Sequence, residues 1–73
     1  MTPTLEDLAI LRLSEVKRLT GLGRSSIYQM MKDGIFPRSF TLGYRAVGWM
    51  ACDIRAWLEA KRNGTAYLQQ QGA

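Results

Sequence analysis

Histidine is absent from this 73-residue sequence, and cysteine occurs once, at Cys52. One cysteine cannot close an internal disulfide, and with no histidine beside it no metal-binding cluster can assemble. Both absences point to a reducing, cytoplasmic setting and to a chain that needs no cofactor. Carboxylates are also few, six against ten lysines and arginines, and they are scattered rather than paired. No glycine-rich loop of the kind that cradles a nucleotide's phosphates is present. The usual catalytic constellations are therefore missing, and the sequence does not read as an enzyme. Cys52 has no second thiol or base near it in sequence and reads as structural. No apolar run approaches the ~20 residues of a membrane span. Residues 1–12 lack the basic-then-apolar order of a secretion signal. Repeats and low-complexity segments are absent apart from the short glutamine run at residues 69–71.

A chain of this length supports one domain with a small core, and its 47% apolar content suits a globular fold. The charge is unevenly placed. Residues 16–49 contain Lys17, Arg18, Arg24, Lys32, Arg38 and Arg45 against Asp33 alone, a net +5 within a chain of net +4. The excess positive charge thus sits in the middle of the chain. A basic surface gains free energy by releasing condensed counterions from a polyanion, so nucleic acid is the natural partner.

Residues 13–37 organise the rest. Ser14 is placed to cap a first helix by accepting an orphan backbone N–H. Val16 and Leu19, three apart, form its inward stripe. Gly21 ends it through a left-handed backbone conformation, and Leu22 plugs the turn. A second helix runs over residues 24–33, stopped by Gly34 and Pro37. Two short helices around a glycine-marked turn describe a helix-turn-helix. At about 100° per residue, Ile27, Met30 and Met31 share one side of the second helix. Ser25, Gln29 and Lys32 share the other, with Arg24 and Tyr28 along a flank. An ordinary solvated helix would favour Glu–Lys pairs there. This one presents amide, hydroxyl and cationic groups, which read base edges and hold phosphates.

Before this stretch, residues 1–4 read as loose, Glu6 and Asp7 open a short turn, and residues 8–13 suit either a brief strand or coil. After Pro37 the period becomes alternating. Phe40 and Leu42 flank Thr41, and Val47 and Trp49 alternate with Ala46 and Gly48. This is a β-hairpin whose tip, Gly43-Tyr44-Arg45, relies on Gly43 for positive φ. Beside a helix-turn-helix it forms a wing, with Arg45 at the tip and Arg38 at the base placed to touch phosphate or the minor groove. Tyr44 either packs on the sugar-phosphate backbone or shields the turn. A third helix, Ala51–Arg62, carries Ile54, Trp57 and Leu58 inward and closes the core, with Trp57 against Ile27, Leu22 and Trp49. Asn63-Gly64 ends it, and residues 63–73 read as a flexible tail in which Tyr67 and Leu68 could touch a neighbouring copy. The expected fold is a small α+β winged helix-turn-helix over residues 13–62, with residues 1–12 as a lead-in. RNA is disfavoured because the stacking aromatics of common RNA modules are missing. A protein-interaction module, or an anti-regulator independent of DNA binding, is the alternative. It would place apolar residues on the exposed side of the second helix, where Ser25, Gln29 and Lys32 stand instead.

Several blocks of the sequence together resemble the AlpA family of phage and prophage regulators. They are Arg12-Leu13-Ser14-Glu15-Val16, Thr20-Gly21-Leu22, Arg24-Ser25-Ser26-Ile27-Tyr28, Gly34-Ile35-Phe36-Pro37, Leu42-Gly43, Arg45-Ala46-Val47-Gly48-Trp49 and Ala56-Trp57-Leu58. The likeness covers residues 10–62. It implies a winged helix of the MerR/excisionase type that binds double-stranded DNA as a transcriptional regulator, often of an integrase gene, or as an excisionase. On that reading Arg24, Ser25, Ser26, Tyr28, Gln29 and Lys32 belong to the recognition helix. Arg38, Tyr44 and Arg45 belong to the wing and its flank, and Ser14 and Lys17 contact the backbone from the first helix. The implied partners are DNA, further copies on adjacent DNA repeats, and an integrase. Gly23 stands where members commonly carry a capping serine and Gln29 where many carry arginine, so base preference does not transfer.

Overall fold

The computed structural model describes residues 8–65. The expected turn at Glu6 and Asp7, the lead-in at residues 1–4 and the tail positions Tyr67 and Leu68 lie outside them. The elements follow in the order β1 (Ile10–Leu11), α1 (Leu13–Thr20), α2 (Arg24–Lys32), β2 (Phe40–Thr41), β3 (Val47–Met50) and α3 (Ala51–Arg62). β3 is the centre of a three-stranded antiparallel sheet ordered β1-β3-β2. Leu11 faces Trp49 and Ile10 faces Met50 on one side, while Phe40 faces Gly48 and Thr41 faces Val47 on the other. This is the winged helix-turn-helix expected from the pattern. The open choice at residues 8–13 resolves as a two-residue strand, held by β3.

That pairing also sets where α1 begins. The chain leaves the sheet at Leu11, so the cap position falls on Arg12 and Ser14 becomes the second helical residue. Ser14 is thus not the cap. Glu15 does part of the work, its Oε1 accepting the backbone N–H of Arg12 at 3.0 Å, the carboxylate half of a capping box. Gly21 ends α1 at φ 75°, its N–H donating to the Lys17 carbonyl at 2.8 Å. Leu22 is half-buried against the core, as its place in the turn suggests.

Leu19 departs from expectation: it is 43% exposed, while Val16 is fully buried. On a helix, Leu13 and Thr20 lie about 40–60° to one side of Val16 and Leu19 about 60° to the other. The half-burial of Leu13 and Thr20 shows which way the inward face is turned. Spacing alone could not choose between those directions.

The core consists of Val16, Ile27, Phe36, Trp49, Ile54 and Trp57. Trp57 shares that cluster with Ile27 and Trp49, as anticipated, but its ring partner is Phe36, with centroids 5.0 Å apart and planes at 61°. Both indoles donate into the segment after α2. Trp57 Nε1–H bonds to the Ile35 carbonyl and Trp49 Nε1–H to the Pro37 carbonyl, each at 3.0 Å. Phe36 is fully buried between these anchors. α2 hands over to that segment through a Schellman closure, in which the N–H groups of Gly34 and Ile35 donate to the carbonyls of Met31 and Met30. The C-terminal end of α2 is therefore tied to the centre of the fold.

The hairpin differs at its tip. Gly43 does not adopt positive φ. The ladder closes with the Leu42 N–H donating to the Ala46 carbonyl at 2.7 Å, so three residues span the tip. None of those three residues takes a positive φ. Gly48 is the glycine the sheet requires. A Cβ there would stand 2.5 Å from Ile10 Cγ2 and 3.2 Å from the Leu11 carbonyl oxygen, so its absence lets β1 and Leu42 close over β3.

Candidate nucleic-acid interface

α2 presents two faces. Ile27 is buried and Met30 and Met31 are half-buried against the core, while Ser25, Ser26, Gln29 and Lys32 are exposed. The exposed face carries hydroxyl, amide and ammonium groups and no apolar side chain beyond the edge of Tyr28. Gln29 is partly ordered, its Nε2 donating to Asp33 Oδ1 at 3.2 Å one turn further on. That bond uses one of the two amide hydrogens and leaves Oε1 and the second hydrogen for an external partner.

Tyr28 joins the core to the surface. One edge of its ring packs on Trp49, with centroids 6.5 Å apart, and the Arg24 guanidinium lies 5.7 Å from its centroid. A cation held over an aromatic face loses conformational freedom before any ligand arrives. The first residue of α2 is therefore positioned by the second turn's aromatic.

Beside α2 opens a cleft of about 630 Å³, lined by Arg12, Leu13, Ser14, Arg24, Tyr28, Arg45 and Val47. Of the residues singled out by sequence, it gathers Ser14 from α1, Arg24 and Tyr28 from α2 and Arg45 from the wing. Ser25, Ser26, Gln29 and Lys32 lie outside it on the exposed side of α2, and Lys17 is exposed on α1. Arg38 is exposed just ahead of β2. Tyr44 stands fully out from the hairpin tip, at 106% relative exposure, so it does not shield the turn. Arg12 is the member that sequence reasoning overlooked. It falls just before the basic stretch at residues 16–49, and only the return of β3 beside β1 brings it near the wing. Its one local signal was the break it makes in an otherwise apolar run, residues 8–13.

Cations and neutral hydrogen-bonding groups dominate these surfaces, and among the described residues no carboxylate lines the cleft. Such a surface binds anions through charge-assisted hydrogen bonds. Among the described residues, no group of three or more His, Cys, Asp and Glu could hold a metal ion. No helix among them is long and apolar enough to cross a membrane.

Comparison with known proteins adds to this geometry. Residues 9–62 match the family described as prophage CP4-57 regulatory protein (AlpA). A protein of Enterobacteria phage P4 named "Uncharacterized protein ORF88" is 36% identical over 62 residues, covering 85% of this chain and 70% of that protein. The DNA-binding transcriptional activator AlpA of Escherichia coli (strain K12) is 36% identical over 58 residues, covering 71% of this chain and 83% of that protein.

Proposed function

This chain belongs to the AlpA family of prophage regulatory proteins, and on that premise we propose that it is a sequence-specific DNA-binding regulator of a phage or integrated element. The finer role we assign is control of integrase-type genes, excision of the element, or both, through one DNA-binding activity. The observation that carries the reading is the exposed face of α2, where Ser25, Gln29 and Lys32 stand clear of the core beside a cleft of arginines. A major groove about 12 Å wide admits a helix of this kind. In it Gln29 bonds adenine through Oε1 and its remaining Nε2 hydrogen, with Ser25, Ser26 and Lys32 as neighbours. Arg38, Tyr44 and Arg45 follow the backbone or enter the minor groove from the wing, and Lys17 meets phosphate from α1. Each copy covers a short site, so further copies occupy adjacent repeats and an integrase is a partner on excision.

Selection of bound duplexes from a random pool at physiological salt tests this. A defined short motif is the expected product. Equal, salt-sensitive retention of all sequences would overturn specificity. Reporter fusions to neighbouring promoters, and amplification across the rejoined attachment site, then separate regulation from excision.

A further inference from the structure

The cleft between α1, α2 and the wing gathers arginines from three places in the fold. Arg12 enters it from the β1–α1 junction, Arg24 from the first residue of α2 and Arg45 from the hairpin tip. Guanidinium groups stay charged at any working pH. Three of them face one cleft that no carboxylate lines among the described residues, so an anion entering it would offset their like charge. The nearest acidic group on the same element, Glu15, is committed to the Arg12 backbone N–H at 3.0 Å. The anion's type follows from the remaining walls. Ser14 offers a hydroxyl, and α1 begins here with backbone N–H groups that precede its first internal bond. Leu13 and Val47 add apolar surface to the same cleft. A bare ion has no use for those two, whereas a phosphodiester brings a sugar to meet them.

We infer that this cleft seats one backbone phosphodiester of duplex DNA, and that Arg12 is a DNA-contacting residue. The inference rests on the DNA-binding reading above and deepens it. One phosphate held jointly by the starts of α1 and α2 and by the wing tip fixes how α2 enters the groove. It carries no base information, because a phosphate looks alike in every sequence. Arg24 is already held over the Tyr28 ring at 5.7 Å, so the seat is partly formed before DNA arrives.

The experiment replaces each phosphate of a selected duplex, one at a time, by neutral methylphosphonate. Affinities are then measured for the wild type and for Arg12→Ala. One phosphate per bound copy is expected to cost the wild type roughly ten-fold when neutralised and to cost Arg12→Ala less than about two-fold. The salt slope of Arg12→Ala should be shallower by about 1, with its base-preference profile unchanged. The Arg12 backbone N–H makes the capping bond, so the substitution leaves that bond intact, and a thermal melt checks it. Arg12→Lys, which keeps the charge but not the fork, should fall between the two. Equal losses at every phosphate for both proteins would overturn the inference while leaving DNA binding in place. A wild type that binds no duplex would sink the DNA reading itself, before any variant is compared. Inorganic phosphate alone forms the last arm, against chloride at matched ionic strength. If it stabilises the wild type but not Arg12→Ala, and no DNA phosphate couples to Arg12, the seat belongs to a free anion and the backbone assignment fails.

Discussion

Specificity at the level of single side chains divides between groups that read and groups that hold. Gln29 is exposed, partly ordered by Asp33, and chemically suited to adenine. Gln29→Ala is expected to flatten base preference at one position of the site, at a cost of about 1–3 kcal/mol for the preferred base. Lys32→Ala, as a phosphate contact, should weaken all sequences alike. A panel of single-base site variants measured against both proteins separates these outcomes, and an unchanged profile for Gln29→Ala would remove it from the reading face. The exposure of Ser25, Gln29 and Lys32 was legible in the sequence because it depends only on the helical period within nine residues of α2. Arg12 was not, because its neighbours in the cleft come from α2 and the wing. Chain order does not state which distant arginines will meet.

At the level of elements, the segment joining α2 to the wing holds the fold together. It buries Phe36, accepts both tryptophan N–H groups, and tethers the end of α2. Trp57→Ala removes a ring packed 5.0 Å from Phe36 and orphans the Ile35 carbonyl. Aromatic truncation in a core costs about 3–5 kcal/mol, and a domain of this size without disulfides holds little more than that. The variant should be largely unfolded at room temperature by circular dichroism. A cooperative melt close to that of the wild type would show that stability resides elsewhere. Trp57 was legible through the i, i+3, i+4 stripe it forms with Ile54 and Leu58. Phe36 was not, because it sits in a segment with no period to read. The same limit explains Leu19 and Gly43: spacing brackets a helix face or a turn, but sheet pairing and loop length decide its orientation.

For the whole molecule the question is how a chain this small reaches a useful affinity. Specific sites require dissociation constants of about 10⁻⁸–10⁻¹¹ M at physiological salt. On the proposed reading, α2 with its nine residues and one three-residue wing tip would leave room for only a few base contacts and about five phosphate contacts. Neutralising about five phosphates predicts a slope of log affinity against log salt near −4.5, which is steep enough to make single-site binding weak in the cell. Adjacent copies would resolve the shortfall on the proposed reading, because each bound neighbour raises the effective concentration of the next. The buried apolar residues are committed to the core, and of the large hydrophobics left exposed among the described residues only Leu8 and Tyr44 show more than half of their surface. A stable dimer interface needs about 800 Å² from each partner. The protein should therefore sediment as a monomer without DNA and fill tandem sites cooperatively. Titrating one site against two or three in tandem, alongside ultracentrifugation of the free protein, checks both halves. A preformed dimer that fills tandem sites independently would contradict the scheme, since affinity would then come from the free assembly rather than from the DNA that aligns the copies.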